Sequence, residues 1–346
     1  MRLMTRIRPA LKGLAAAALL VLAACGRLGG ELAEPGAEAR APASAACPRP
    51  ADPDAYRAEM AATEERLIAE AQASRGAGAP ALWTLKDDDT TLHILGTVHL
   101  LRPELQWRTP EIDAAIAAAD TIVFEADTTS PEAGRVLMAF FTAEGMFQDG
   151  TQLSSLLTEA EQAQLTEALD QVGLPLAAVQ AMRPWFAAIN LSNMQILAEG
   201  FDPSAGVEKT IEAMADAHGA EFAYLETVEQ QLGEFARMDT CAQIDFLLQS
   251  AEAVKRGDSL LDLLVAEWAD GDVHGLGVLM GTPESFGSQA AYDAMLKNRN
   301  LRWVPQIAAM LDEPGTRLIA AGAGHFAGQD SVITLLRQEG YTVEGP

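Results

Sequence analysis

Short apolar blocks ending on polar residues mark both ends of the folded stretch of this chain, and helical periodicity fills the middle. Residues 81–85 (Ala-Leu-Trp-Thr-Leu) and 91–95 (Thr-Leu-His-Ile-Leu) flank Lys86-Asp87-Asp88-Asp89, the pattern of a β-hairpin with a polar turn. The aspartate run lacks the glycine and distal glutamate of an EF-hand loop, so it reads as a solvated turn. Pro110 opens a helix to Ala119 whose apolar face is Ile112, Ala115, Ile116 and Ala119. Thr121-Ile122-Val123-Phe124-Glu125 then reads as a strand, which completes a strand–helix–strand unit and implies parallel strands.

Residues 131–218 are almost wholly helical in pattern. One apolar helix opens at Arg183-Pro184-Trp185-Phe186 and runs to about Ala198, and another spans roughly Gly206 to Ala217. Residues 221–225 form a strand ending in Glu226. Helices return over about 227–311, with breaks near Gly257 and Gly271 and an irregular piece at 281–288. A strand at 317–321, a helix at 330–339 and a short strand at 341–343 close the chain. The predicted architecture is α/β (α+β): a mixed central sheet with parallel strands, an N-terminal β-hairpin, and a large helical insertion at about 130–220.

The N-terminus stands apart. Arg2, Arg6, Arg8 and Lys12 precede an apolar stretch, Leu14 to Ala24, too short to span a bilayer comfortably. It ends Leu22-Ala23-Ala24-Cys25, which resembles the bacterial lipoprotein box and implies cleavage before Cys25 and acylation there. Residues 1–24 are thus expected to be a signal peptide. Residues 25–52, rich in Ala, Pro, Gly and Glu, are expected to be a flexible acylated tether, and residues 53–346 a single domain. Gly26 follows the cysteine where an acidic residue would retain the chain, which implies the outer membrane, facing the periplasm. If Cys25 carries lipid, Cys47 and Cys241 remain as a possible disulfide in that oxidising compartment.

Charge narrows the partners. Without the four basic residues of the leader, 20 basic stand against 49 acidic residues, a net charge of −29. No basic stripe exists to neutralise phosphates, which excludes nucleic acid, and anionic lipid offers no electrostatic attraction, so the membrane contact rests on the anchor at Cys25.

The candidate chemistry follows from where the strands end. In an open sheet with parallel strands, functional groups gather beyond the strands' carboxyl ends. Four predicted strands run into His99, Glu125, Glu226 and His325, and the two histidines share one signature: Gly96-Thr97-Val98-His99 and Gly322-Ala323-Gly324-His325. Two imidazoles with one or two carboxylates suit a Zn, Mn or Co hydrolase site. The glycines are expected at tight strand exits. His93 shares strand parity with His99 and is expected to pack beside the site; His218 and His274 look like surface residues. Gly322, Gly324 and Gly328 loosely match a dinucleotide loop, but too little chain follows for the rest of such a fold. No His-Glu-x-x-His, Gly-x-Ser-x-Gly or Walker loop occurs.

Six blocks stand in order: Leu95-Gly96-Thr97-Val98-His99, Phe124-Glu125-Ala126-Asp127, Arg183-Pro184-Trp185-Phe186, Leu225-Glu226-Thr227-Val228-Glu229-Gln230-Gln231, Asn298-Arg299-Asn300 and Gly322-Ala323-Gly324-His325. Together they resemble the TraB/GumN family from about Ala81 to the C-terminus. That family is similar in its motifs to the Tiki proteases, the erythromycin esterases and the ChaN-like haem-binding lipoproteins. The resemblance implies a metal-dependent peptidase with His99 and His325 as metal ligands and Glu125 and Glu226 as ligand or base. Arg299 is implied as a supporting or oxyanion-side cation. His93 stands where related sequences usually carry an aromatic or aliphatic residue. The leading expectation is a lipid-anchored metallohydrolase acting on a peptide or small molecule. The alternatives are a non-enzymatic lipoprotein that binds haem, a metal or an envelope partner, and a small-molecule esterase.

Overall fold

Strand pairing decides what the sheet can present. The computed structural model describes residues 47–256, 260–286 and 288–346. Six strands, β1 (Leu82–Lys86), β2 (Thr90–Thr97), β3 (Thr121–Phe124), β4 (Glu221–Tyr224), β5 (Gly315–Gly322) and β6 (Val343–Glu344), form one sheet in the order β4-β3-β5-β2-β1-β6. β4, β3, β5 and β2 run parallel, while β1 is antiparallel to β2 and β6. The fold is therefore mixed α/β, with the hairpin at residues 82–97.

The strand–helix–strand unit is wider than its sequence suggests. β2 and β3 are parallel, but β5 lies between them, paired with β2 from Thr90↔Gly315 to Thr97↔Gly322 and with β3 up to Phe124↔Ala320. β5 takes the middle because Leu318, Ile319, Ala320 and Ala321 are apolar on both faces and all are buried. One face of the sheet packs Leu95, Ile122, Leu318 and Ala320 with Ile112 and Ile116 of the Pro110–Ala118 helix and Val207 and Ile211 of the Val207–His218 helix. The other packs Leu92, Ile94, Val123 and Ile319 with Trp303 and Ile307 of the Asn298–Ala309 helix and Leu336 of the Val332–Gln338 helix.

The helical insertion does not stop at residue 220. Trp185, Phe186 and Leu191 share a core with Phe235, Ile244 and Leu247, so the segments before and after β4 build one helical layer. Cys47 and Cys241 are joined there by a disulfide, with their Cα atoms 5.4 Å apart. Cys47 and Arg49, assigned above to the tether, are thus held against this layer, and Arg49 bonds Glu161 at 2.5 Å. A helix at Pro53–Ala71 escaped sequence reading because, among its described side chains, only Leu67 and Ala71 are buried, too few for a periodic signal. The last strand lies slightly later than expected, where Val343 pairs with Leu85. The expected signal peptide, the expected acylation site at Cys25 and the expected tether up to residue 46 lie outside the described residues. Among those described, no helix is long and apolar enough to cross a membrane.

Candidate functional site

Parallel pairing brings the four strand ends together. Thr97 sits opposite Gly322, and Phe124 sits opposite both Ala320 and Tyr224, so the residues just beyond them converge at one edge of the sheet. Gly322 is the meeting point. Its N–H donates to Glu125 Oε1 at 2.6 Å, and a Cβ there would lie 3.1 Å from that oxygen, 3.7 Å from His325 Cδ2 and 3.9 Å from His99 Nε2. Its backbone (φ −50°, ψ 133°) suits any residue, so the glycine is required by close approach rather than by a tight turn. Gly96 likewise lies inside β2, where a Cβ would come within 3.0 Å of Ala323 Cα.

Arg299 is the hub. Its Nε donates to Glu226 Oε1 at 2.8 Å, its Nη2 to Glu125 Oε2 at 2.5 Å, and its Nη1 to His325 Nε2 at 2.9 Å. One helix supplies three of the contacts, because Asn300 and Trp303 follow Arg299 on Asn298–Ala309. Trp303 Nε1 donates to Glu226 Oε2 at 3.3 Å, and the indole lies 4.3 Å from the His325 ring. Asn300 Nδ2 donates to the Asp330 carbonyl at 2.8 Å, which turns its Oδ1 toward His325 Nδ1 at 2.6 Å. That oxygen can only accept, so Nδ1 carries the proton and Nε2 is left as a lone pair.

Burial and charge reinforce this. Burial first, then the Arg299 charge, push His325 down to about 3, so its ring is neutral at physiological pH. Burial alone would raise Glu125, but Arg299, His325, His99 and the Gly322 N–H hold it well below the usual carboxylate range. Glu226 is raised, by burial foremost, with Arg299 opposing. It is the weaker acid of the pair.

His99 reaches the same point from the other face of the sheet. Its Nδ1 meets Glu208 Oε1 at 2.6 Å, and the Thr97 hydroxyl donates to the same oxygen. Gly206 makes this possible: a Cβ there would lie 2.2 Å from the His99 carbonyl oxygen, and the close pass lets Val207 N–H bond Val98 O at 3.1 Å. Glu208 thus stands in the first turn of its helix, where the dipole favours an anion. Desolvation by the surrounding protein opposes the imidazolium, modestly for a side chain 60% exposed, and Glu208 and Glu125 outweigh it and raise His99 to about 9.

A crevice of about 370 Å³ opens over this edge, lined among others by His99, Glu125, Glu208, Phe124, Tyr224 and Gln231. The remaining sequence candidates lie elsewhere. His93 is half-buried against Thr84, with Oγ1–Nδ1 at 3.2 Å, and His218 caps carbonyls of Met214 and Ala119. Glu208 and Trp303 were not singled out from sequence, and Asn300 and Gln231, whose Nε2 donates to Glu125 Oε2 at 2.9 Å, stood in the quoted blocks without a role.

The TraB/PrgY/gumN family model matches residues 81–345, the whole sheet and every residue of this site. The chain belongs to that family. It is similar to YbaP of Escherichia coli K12, 21% identical over 75% of this chain and 92% of that protein. YbaP of Shigella flexneri is also 21% identical, over 71% of this chain and 87% of its own length. Both proteins are described as uncharacterized. No solved structure matches.

The donors fit a divalent cation in kind. Both imidazoles have Nδ1 tied to a neighbouring acceptor and Nε2 turned inward, the arrangement that orients metal-ligating histidines, and Glu125 stays ionised beside them. His325 Nε2 is bonded to Arg299, and Glu226 is engaged by Arg299 and Trp303. Among the described residues, no three His, Cys, Asp or Glu side chains are closed to ligating distance.

Proposed function

We propose that this TraB-family chain is a divalent-cation-dependent hydrolase of peptidase type, held to the bacterial envelope by lipid at Cys25. The observation that carries the reading is the convergence of His99 Nε2, Glu125 Oε1 and the His325 ring on one point above Gly322. These three residues would hold the ion, and Glu226, bound to Arg299 and Trp303, would sit behind them rather than among the ligands. When bound, such an ion polarises a carbonyl and activates water. Glu208 and Asn300 orient the rings. Glu226, with both oxygens engaged, would hold Arg299 in place, and Arg299 would balance developing negative charge. The Cys47–Cys241 bridge supports an oxidising compartment.

The test is titration of chelator-stripped protein with Mn²⁺, Co²⁺ and Zn²⁺ by calorimetry, beside His99→Ala and His325→Ala. Binding by the wild type and its loss in both variants is expected. A folded wild type that binds none of the three ions overturns the reading. A second reading has one observation in its favour: Arg299 already places a cation at the site, where a metal-free esterase would stabilise developing negative charge. It predicts ester turnover unaffected by chelator.

A further inference from the structure

β4 is an edge strand, and its free side adjoins the crevice. Glu221 N–H bonds Asp120 O at 2.9 Å and Leu225 N–H bonds Phe124 O at 3.0 Å, so the odd-numbered groups of this strand turn toward β3. By strand alternation, the N–H and C=O groups of Phe222 and Tyr224 turn outward. Among the described residues no strand pairs with that edge, since β4 ends the sheet order. Edge strands are usually guarded by lysine, proline or a covering element. β4 reads Glu-Phe-Ala-Tyr, with Tyr224 41% exposed, and its shortness confines any pairing to those two outward residues.

The crevice continues from this edge to the site. Phe222 and Tyr224 line it together with His99 and Glu125, and Phe222 stacks on Phe124 at 6.0 Å with 13° between the planes. Three of the crevice's five charged lining residues are carboxylates, the other two being His99, held against Glu208, and a lysine. Glu125, Glu208 and Glu212 face it, and the one lysine, Lys209, is paired to Glu212 at 2.8 Å. Burial first, then the charges of Asp127 and Glu212, raise the Tyr224 hydroxyl above its ordinary pKa.

We propose that an extended polypeptide carrying basic side chains adds to the outer edge of β4 through the main-chain groups of Phe222 and Tyr224, and passes its next residues into the crevice over Glu125 and His99. The inference rests on the hydrolase reading for what happens to the peptide, and on the edge and the charge for its capture. Main-chain pairing provides affinity without demanding a sequence, alternate side chains meet the stacked aromatic pair, and the carboxylates select positive over negative charge.

The test is equilibrium binding, independent of turnover. Fluorescence anisotropy on the whole chain, wild type and His99→Ala, is read with a labelled alternating lysine–valine octapeptide and its glutamate–valine counterpart. The lysine peptide is expected to bind both proteins at least about tenfold tighter than the glutamate peptide at low salt. N-methylation of alternate peptide nitrogens is expected to weaken binding about tenfold in one register and less than about twofold in the other, because only one register pairs with the edge. Tyr224→Pro removes one outward N–H and no bond to β3, and a loss of similar size is expected in a variant whose thermal melt is unchanged. Equal response to both registers, equal binding of the two peptides, or no binding below about 1 mM overturns the proposal. Because His99→Ala keeps the edge, its peptide binding separates failure of this inference from failure of the hydrolase reading.

Discussion

Gly322→Ala probes the meeting point directly. The residue's φ of −50° and ψ of 133° are ordinary for alanine, so the backbone carries no strain, and the unfolded chain loses freedom worth about 0.4–1 kcal/mol in favour of folding. Against that stands a methyl 3.1 Å from Glu125 Oε1, which must yield by a few tenths of an ångström. That oxygen accepts the Gly322 N–H, while its partner oxygen is held by Arg299 and Gln231, so the displacement loosens three contacts at once. The two effects roughly cancel, and the net stability change is expected to stay within about 1 kcal/mol. The site does not share that cancellation. A group misplaced by up to about 1 Å costs on the order of a hundredfold in a preorganised site, so cation affinity should fall about ten- to a hundredfold. Gly96→Ala is the contrast: its methyl meets Ala323 backbone at 3.0 Å inside the core and should cost about 1–3 kcal/mol of stability. Denaturant melts and cation titrations on both variants make the comparison. A Gly322→Ala protein that binds Mn²⁺, Co²⁺ and Zn²⁺ as the wild type does would refute the convergence of His99, Glu125 and His325 on one ion.

Three further outcomes follow from particular contacts. Arg299→Leu leaves Glu125 and Glu226 buried without their cation, and denaturant unfolding should show a loss of about 3–5 kcal/mol, partly restored by adding Glu226→Gln. Cys241→Ser opens a link across 194 residues and should cost roughly 2–5 kcal/mol, with reductant giving the same loss in the wild type and none in the variant. Glu267 is raised above its ordinary 4.5 by burial first and by Asp272 next, and both side chains are buried. Its contribution is full below pH 4.5 and is lost as pH rises through the raised folded value, so Glu267→Gln should be more stable than wild type at neutral pH. Thermal melts that show the two proteins equally stable at both pH 4 and pH 8 would contradict this.

The parts of the candidate site legible in the residues themselves are those carried by strands, whereas Arg299, on a helix, was named only through the family resemblance. His99, Glu125, Glu226 and His325 each follow an apolar run, and parallel pairing puts the ends of such runs at one edge whatever the loops do. The helical contributions were harder to see, because the rotation of a helix is set by its packing. Nothing local marks Glu208 until Gly206 is known to slide past the His99 carbonyl, and nothing local turns Trp303 rather than Arg302 onto the His325 ring. Gly96 and Gly322 were expected at tight strand exits, whereas what requires glycine at both is the close approach of other chain segments. Strand order was not legible: nothing local to β2 and β3 marks the late, more apolar β5 that separates them.

The two histidines are set to opposite protonation states, and that difference makes cation binding measurable in protons. His325 is neutral because Asn300 fixes its proton on Nδ1 and Arg299 faces Nε2. His99, although 60% exposed and so partly screened by water, lies beside the Glu208 carboxylate that raises it to about 9, and at pH 7 it carries a proton on each nitrogen. An ion can take His99 Nε2 only after that proton leaves. Cation binding should therefore release about one proton at pH 7, and apparent affinity should rise about tenfold per pH unit up to about pH 9, with no matching contribution from His325. Calorimetry in two buffers of different ionisation enthalpy reads the release, and Glu208→Gln, which removes the charge that raises His99, should reduce it. Tight binding with no proton released would mean that His99 is not a ligand, and the ion would then have to be sought on Glu125 and His325 alone.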